Sequence, residues 1–133
     1  MSQFGIQIHG QSKTKSAGNG KRKIRFKDKR RSEVGNYFSA TKMSAEKDTT
    51  KTVRRRGGSV TTVLKSAAFA NVLTKKGYQR TKIKGVTESP DNRNFARQNI
   101  ITKGTIITTD LGKAKVTNRP GREGTVNAKL IEG

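Results

Sequence analysis

Residues 104–131 read GTIITTDLGKAKVTNRPGREGTVNAKLI, and the alternation within them decides the fold class. Successive side chains of a strand point to opposite faces. From Gly112 to Asn118, Ala114 and Val116 alternate with Lys113, Lys115 and Thr117. Farther on, Val126, Ala128 and Leu130 share one face, and Thr125, Asn127 and Lys129 the other. Turn signals separate these runs. Lys103-Gly104 is one reversal and Asp110-Leu111-Gly112 another. Arg119-Pro120-Gly121-Arg122 fits a type II turn, with proline second and glycine where φ must be positive.

The same texture extends upstream. Arg80 to Val86 sets Ile83 against Lys82 and Lys84, and Lys76-Gly77 precedes it as a turn. Ser59 to Lys65 is rich in Val and Thr, which suit a half-buried pleated surface. Lys51 to Arg56 predicts a strand ending at Gly57-Gly58. Ser89-Pro90 reads as a helix start, serine capping and proline in the first position, with Arg93 and Arg97 four apart on one face. Short strands spaced by turns predict a small β-barrel or sandwich, antiparallel because its connections are short. Residues 44–51 carry a possible helical turn capped by Ser44.

Apolar supply divides the chain. Leu, Ile, Val and Phe total 26 of 133 residues, and only 8 of them precede residue 57. A core-forming β-domain is therefore expected over 51–133. A basic, largely irregular arm and linker is expected over 1–50, because that part cannot bury itself unaided.

Charge narrows the function. Lys and Arg number 30 against 9 carboxylates, a net charge of +21. Solubility needs a magnitude of only roughly 2–8. Such an excess suits a polyanion, whose bound counterions are released when its phosphates are neutralised. Residues 13–31 hold Lys13, Lys15, Lys21, Arg22, Lys23, Arg25, Lys27, Lys29, Arg30 and Arg31 against Asp28 alone, the pattern of an interaction arm. A second group is Arg54-Arg55-Arg56, followed by Gly57 and Gly58, which let phosphate approach backbone N–H groups. If its strand is paired, at least one of these arginines must face inward or sideways. Arg93, Arg97, Lys103, Arg119 and Arg122 form the third group. Arginine matches phosphate oxygens with a planar fork. The outward lysines Lys82, Lys84, Lys113, Lys115 and Lys129 have a blander explanation, since lysine guards sheet edges against aggregation.

Other classes fare poorly. No cysteine is present, which removes disulfides and thiolate chemistry and agrees with an intracellular address. Met1 to Ile8 lacks a basic stretch followed by an apolar run, so no secretory signal is expected. No apolar run approaches the roughly 18 residues of a membrane span. His9 is the lone histidine, without a partner for metal or triad chemistry, but able to hydrogen-bond or stack on RNA. Glu88, Asp91 and Asp110 are the set a metal-dependent nuclease would draw on, and their spacing offers no paired site. No enzyme, metal or cofactor is expected. Aromatic residues are scattered. Phe69 and Phe95 are expected in the core, and Tyr37-Phe38 is the pair placed to stack or to anchor the arm. The chain reads as a binder of RNA shape and backbone, with a DNA-binding architectural protein as the competing reading.

Residues 88–131, ESPDNRNFARQNIITKGTIITTDLGKAKVTNRPGREGTVNAKLI, carry a more specific signal. The Asn-Arg-x-aromatic-Ala-Arg helix, the Asn-Ile-Ile-Thr-Lys-Gly turn, the Leu-Gly hairpin and the Arg-Pro-Gly turn before Val-Asn-Ala resemble the archaeal and eukaryotic small-subunit ribosomal protein family of the S-eight-e type. RRRGG (54–58), ANV (70–72), HGQSK (9–13) and FKDKRRSEVG (26–35) fall in that family's order. Ser59 stands where the family usually has asparagine, and Ser16 to Asn19 where it favours Pro-Thr-Gly-Gly. The length resembles that of archaeal members. The resemblance implies a compact barrel with an extended arm, bound to small-subunit rRNA beside neighbouring ribosomal proteins. It also implies a cytoplasmic monomer within the ribosome, with no small-molecule substrate, membrane or cofactor. On this reading the RNA-binding residues are His9, Gly10, Ser12 and Lys13, together with the three basic groups and Gly57-Gly58.

Overall fold

The computed structural model describes residues 38–131 together with Gly20. The expectations for the rest of the arm lie outside the described residues. Ser39 opens one compact unit. Its strands are β1 (Lys42–Met43), β2 (Thr49–Arg54), β3 (Val60–Ala67), β4 (Phe69–Thr74), β5 (Gly77–Glu88), β6 (Ile106–Thr109), β7 (Gly112–Val116) and β8 (Asn127–Leu130). Two short helices, α1 (Arg93–Arg97) and α2 (Pro120–Glu123), interrupt the series.

Five strands close into a barrel in the order β4-β5-β6-β7-β8. The alternation read from the sequence fills it. Ala70, Val72, Ile83, Ile107, Ala114, Val116, Val126 and Ala128 are all buried. Small and β-branched residues suffice because a barrel of this size is filled by side chains alone. Lys82, Lys84, Lys113, Lys115 and Lys129 face out, as their positions predict. The β4–β5 and β6–β7 hairpins are fastened alike: Thr74 Oγ1 donates to the Gly77 carbonyl at 2.7 Å, and Thr109 Oγ1 to that of Gly112 at 2.8 Å. A register shift between Ile83 and Gly85 lets β5 leave β4 and continue along β6.

Pairing is not antiparallel throughout. β4 and β8 close the barrel in parallel, and β1 pairs with β3 in parallel. Short connections dictate only how sequence neighbours pair, and both parallel pairs join strands that are not consecutive.

The remaining strands form a second sheet, β1-β3-β2. Its β3 runs into β4 through Ala68, and Asp48 holds that corner. One Asp48 oxygen accepts from the Ala68 and Phe69 amides at 2.7 and 3.2 Å, and the other meets Arg80 at 3.2 Å. The segment 44–51 is a bend followed by β2, not a helical turn, because Asp48 is engaged at the corner. Thr41 is buried and donates to the Leu64 carbonyl at 2.7 Å, fastening the first described residues to β3.

Three local expectations change. α1 is capped by Asn92, whose side chain accepts from the Asn94 amide at 2.9 Å, and not by Ser89. The hydroxyl of Ser89 lies 3.5 Å from that of Thr102. Pro120 opens α2 instead of a type II turn, and the left-handed residue is Gly124, at φ 73°. That glycine is required twice over, since an added Cβ would also stand 2.9 Å from Thr62 Cγ2. Phe69 and Phe95 are only half-buried. The guanidinium of Arg80 covers the Phe69 ring, 4.6 Å from its centroid.

Candidate nucleic-acid interface

The β2–β3 hairpin carries the arginine triplet, and its geometry separates the three side chains. Arg55 is half-buried, and its Nε donates to Thr61 Oγ1 at 3.0 Å. It is the sideways arginine that strand pairing demanded. Arg54 and Arg56 are exposed. Between them and β3 the chain makes a 3-10 turn over Arg56–Gly58, with Gly57 at φ 78° and Gly58 at φ 82°. Two consecutive left-handed residues without side chains leave the backbone bare at the tip. The Arg55 amide donates to the Ser59 carbonyl at 2.7 Å and closes the turn.

Helix α2 packs on β3, where Gly124 meets Thr62 and Ser39 Oγ donates to the Gly121 carbonyl at 3.3 Å. This brings exposed Arg119 and Arg122 beside the strand that begins at the arginine hairpin. Lys103 stands on the turn whose Gly104 amide donates to the Val116 carbonyl at 2.8 Å, three residues before Arg119. Arg93 and Arg97 are exposed on α1. That helix packs on β5 and is tied to β1 through the Met43 amide and the Asn99 carbonyl, at 2.9 Å.

The described candidate residues thus lie on turns, short helices and a hairpin tip, and none lies on the barrel wall. The expected third group is distributed, with Arg119 and Arg122 on the β3 side and Arg93 and Arg97 near β1 and β5. His9, Gly10, Ser12, Lys13, Lys15, Lys21, Arg22, Lys23, Arg25, Lys27, Lys29, Arg30, Arg31 and Tyr37 lie outside the described residues. Phe38 is 38% exposed.

Three of the described carboxylates are engaged within the fold. Asp48 serves the corner and Arg80. Glu123 Oε2 accepts from Asn118 at 2.9 Å. Asp110 meets Lys84 at 2.9 Å, and that hydrogen bond holds its carboxyl below the usual value of 3.8. Glu88 and Asp110 stand at opposite ends of the β5–β6 pair. Among the described residues no group of three His, Cys, Asp or Glu side chains gathers to hold a metal ion. No described helix is long and apolar enough to cross a membrane.

The barrel wall holds what the sequence reading undervalued. Edge protection is the blander explanation for Lys82, Lys84, Lys113, Lys115 and Lys129, but a closed barrel has no open edge to protect. Exposed Lys75, Lys76 and Tyr78 join them, where the sequence offers Lys76-Gly77 only as a turn and Tyr78 only as one of the scattered aromatics. The run Lys75-Lys76-Gly77-Tyr78, two cations and an aromatic astride a turn, was the available signal.

A sequence model of the family described as Ribosomal protein S8e matches residues 10–131. The chain belongs to this family. Its curated relatives include the small ribosomal subunit protein eS8 of Sulfurisphaera tokodaii, 45% identical over 115 residues, 85% of this chain and 89% of that one. The eS8 of Hyperthermus butylicus is 44% identical over 93% of this chain and 91% of its own. That of Methanocella arvoryzae is 40% identical over 95% of this chain and 99% of its own. Membership in the S8e family accounts for the motifs of residues 88–131, which build α1, the β6–β7 hairpin, α2 and β8.

Proposed function

We propose that this chain is a structural constituent of the small ribosomal subunit that binds and stabilises folded rRNA through phosphate and shape contacts, supporting translation. The observation that carries the reading is the placement of its arginines. Arg54, Arg56, Arg93, Arg97, Arg119 and Arg122 are exposed on a hairpin end, turns and helices, while Asp48 and Glu123 serve structural partners. Arginine on a rigid projection meets phosphate oxygens in a defined geometry at small entropic cost. The name shared by the relatives agrees with this assignment. The cationic stretch over 13–31 then serves as an arm that orders along rRNA. The role needs no catalysis, cofactor or small-molecule substrate. The protein works as a monomer among neighbouring ribosomal proteins, in the cytoplasmic ribosome.

Co-sedimentation with small ribosomal subunits after a high-salt wash tests the proposal. Retention is expected, because an integral component is held by many cooperating contacts, whereas loose electrostatic association dissolves as salt rises. Release from the subunit, with equal affinity for duplex DNA and folded rRNA, would overturn it in favour of a DNA-binding architectural protein.

A further inference from the structure

The barrel wall carries a row of side chains that the arginine surface does not use. Tyr78, Leu73, Lys129 and Lys115 are successive Cα partners across β5, β4, β8 and β7. Adjacent strands lie about 4.8 Å apart, so these four residues form one lateral line on the outer face. Tyr78 is 72% exposed, the most exposed of the large apolar or aromatic side chains described. Leu73 is half-buried beside it. Lys129 and Lys115 stand directly opposite each other, an arrangement that disfavours the sheet unless an anion lies between or above them. The next residue along the line is Ile106, and only after it comes a carboxylate, Glu88. Leu73, Lys129 and Leu130 also line an open groove of about 900 Å³, and Lys75 and Lys76 of the β4–β5 turn add two more cations to its rim.

We propose that this row is a binding site for an unpaired nucleotide segment of RNA. A base stacks on Tyr78, the sugar rests on Leu73, and the flanking phosphates reach Lys129 and Lys115. An exposed aromatic next to a cationic groove is the arrangement by which single strands are held without regard to sequence. The chemistry favours RNA over an acidic protein segment. The side chains form an aromatic platform followed by paired point charges, and the acidic side chains of a peptide offer that platform no aromatic face. Location gives the site a distinct role. β4 and β8 run in parallel, so the groove at their C-terminal ends lies at the end of the barrel away from α2, which precedes β8. One barrel would then hold a structured RNA surface at one end and an unpaired segment at the other. This inference rests on the RNA-binding reading above and adds a ligand class and a second surface to it.

The test uses the full chain carrying Tyr37→Phe, so that Tyr78 is the sole tyrosine. A labelled hexa-adenylate reports binding by anisotropy, and Tyr78 emission reports stacking. Quenching of Tyr78 is expected to track occupancy. Tyr78→Ala should weaken hexa-adenylate binding about tenfold, Tyr78→Phe should restore most of it, and Lys115→Gln with Lys129→Gln should weaken it with the Tyr78 platform intact. Saturated binding with Tyr78 emission and affinity untouched by these changes would overturn the site and leave the arginine surface standing. No binding of either hexa-adenylate or folded rRNA would overturn both readings. Equal quenching by a hexaglutamate peptide would assign the groove to an acidic protein segment, and so overturn the nucleotide assignment.

Discussion

The barrel and the β2–β3 hairpin are built from the same kind of strand and put to opposite uses. In the barrel, each strand turns at least one buried side chain inward, and closure covers both edges. β2 instead buries none of its residues and half-buries only Val53. Its hydrogen bonds to β3 hold it, and its side chains go to solvent. A chain with so few apolar residues cannot afford two cores. It concentrates them in one closed wall and lets the hairpin present cations on a frame anchored at Asp48, Thr41 and α2. Stability and binding should then respond to different substitutions.

The largest effect should come from the barrel interior. Ile107 is fully buried among Ile83, Val116 and their neighbours. Ile107→Ala should lose about 2–5 kcal/mol, because the removed methyl groups leave a cavity in a wall that cannot collapse. Urea unfolding checks this. A loss below about 1 kcal/mol would mean the barrel is looser than its burial indicates.

Gly124→Ala should come next, at about 1–3 kcal/mol. The left-handed backbone and the approach to Thr62 both resist a Cβ. The comparison sharpens here, since the change strikes the seam between α2 and β3 and not the barrel. Exchange of the α2 and β3 amides should therefore accelerate more than that of β6 and β7.

Asp48→Ala should cost about 1–3 kcal/mol by stranding two amides at the corner between sheet and barrel. It should also free Arg80 from its carboxylate partner. Thermal unfolding that kept its midpoint would show that the corner is held by its strands alone.

These positions also mark where the sequence was legible. Period-two alternation is a local property, so Ala114, Val116, Ile83, Val126 and Ala128 could be assigned inward without knowing their neighbours. The barrel's parallel closure was not legible, because β4 and β8 are its most distant strands in sequence and no local signal names a partner. Ser89-Pro90 and Arg119-Pro120-Gly121 misled for a shared reason. Proline at a given φ serves a turn or a helix start equally well, and the choice is made downstream, by the Asn92 side chain in one case and by Gly124 in the other. Phe69 was assigned to the core on its type. Its partner Arg80 comes from strand register, with Asn71 opposite Arg80 and Phe69 one pair further along the same face. For the interface, residue type found the arginines, but only the closure of the barrel removed the edge-guarding explanation for the lysines.

A smaller effect belongs to the barrel surface. The hydrogen bond from Lys84 depresses the Asp110 carboxyl, with the charges of Lys84 and Lys82 adding to it. A group depressed on folding contributes stability that is present above its unfolded value and lost as pH falls through its folded one. The contribution should therefore be present above pH 3.8 and decline below it. Removing the pair with Lys84→Gln should flatten the acid limb of the stability profile slightly while leaving neutral stability nearly unchanged, as expected for an exposed pair. An unaltered acid limb would mean that Lys84 does not engage Asp110 in solution.

The smallest effect on stability should accompany a large effect on binding, and this contrast is the sharpest test of the division between barrel and hairpin. Arg54 and Arg56 are exposed, and half-buried Arg55 gives up its hydrogen bond to Thr61. Replacing all three by alanine should shift unfolding by little more than about 0.5 kcal/mol, as surface substitutions do. Relief of mutual repulsion partly offsets the lost bond. Affinity for small-subunit rRNA should nevertheless fall, and the slope of log affinity against log salt should flatten by about one for each phosphate contact removed. Two outcomes break the comparison in different ways. If stability falls with affinity, the hairpin belongs to the folding unit as much as the barrel does. If affinity and slope both stay put, the hairpin frames no phosphate, and the cations of the arm and of α1 and α2 must carry the binding instead.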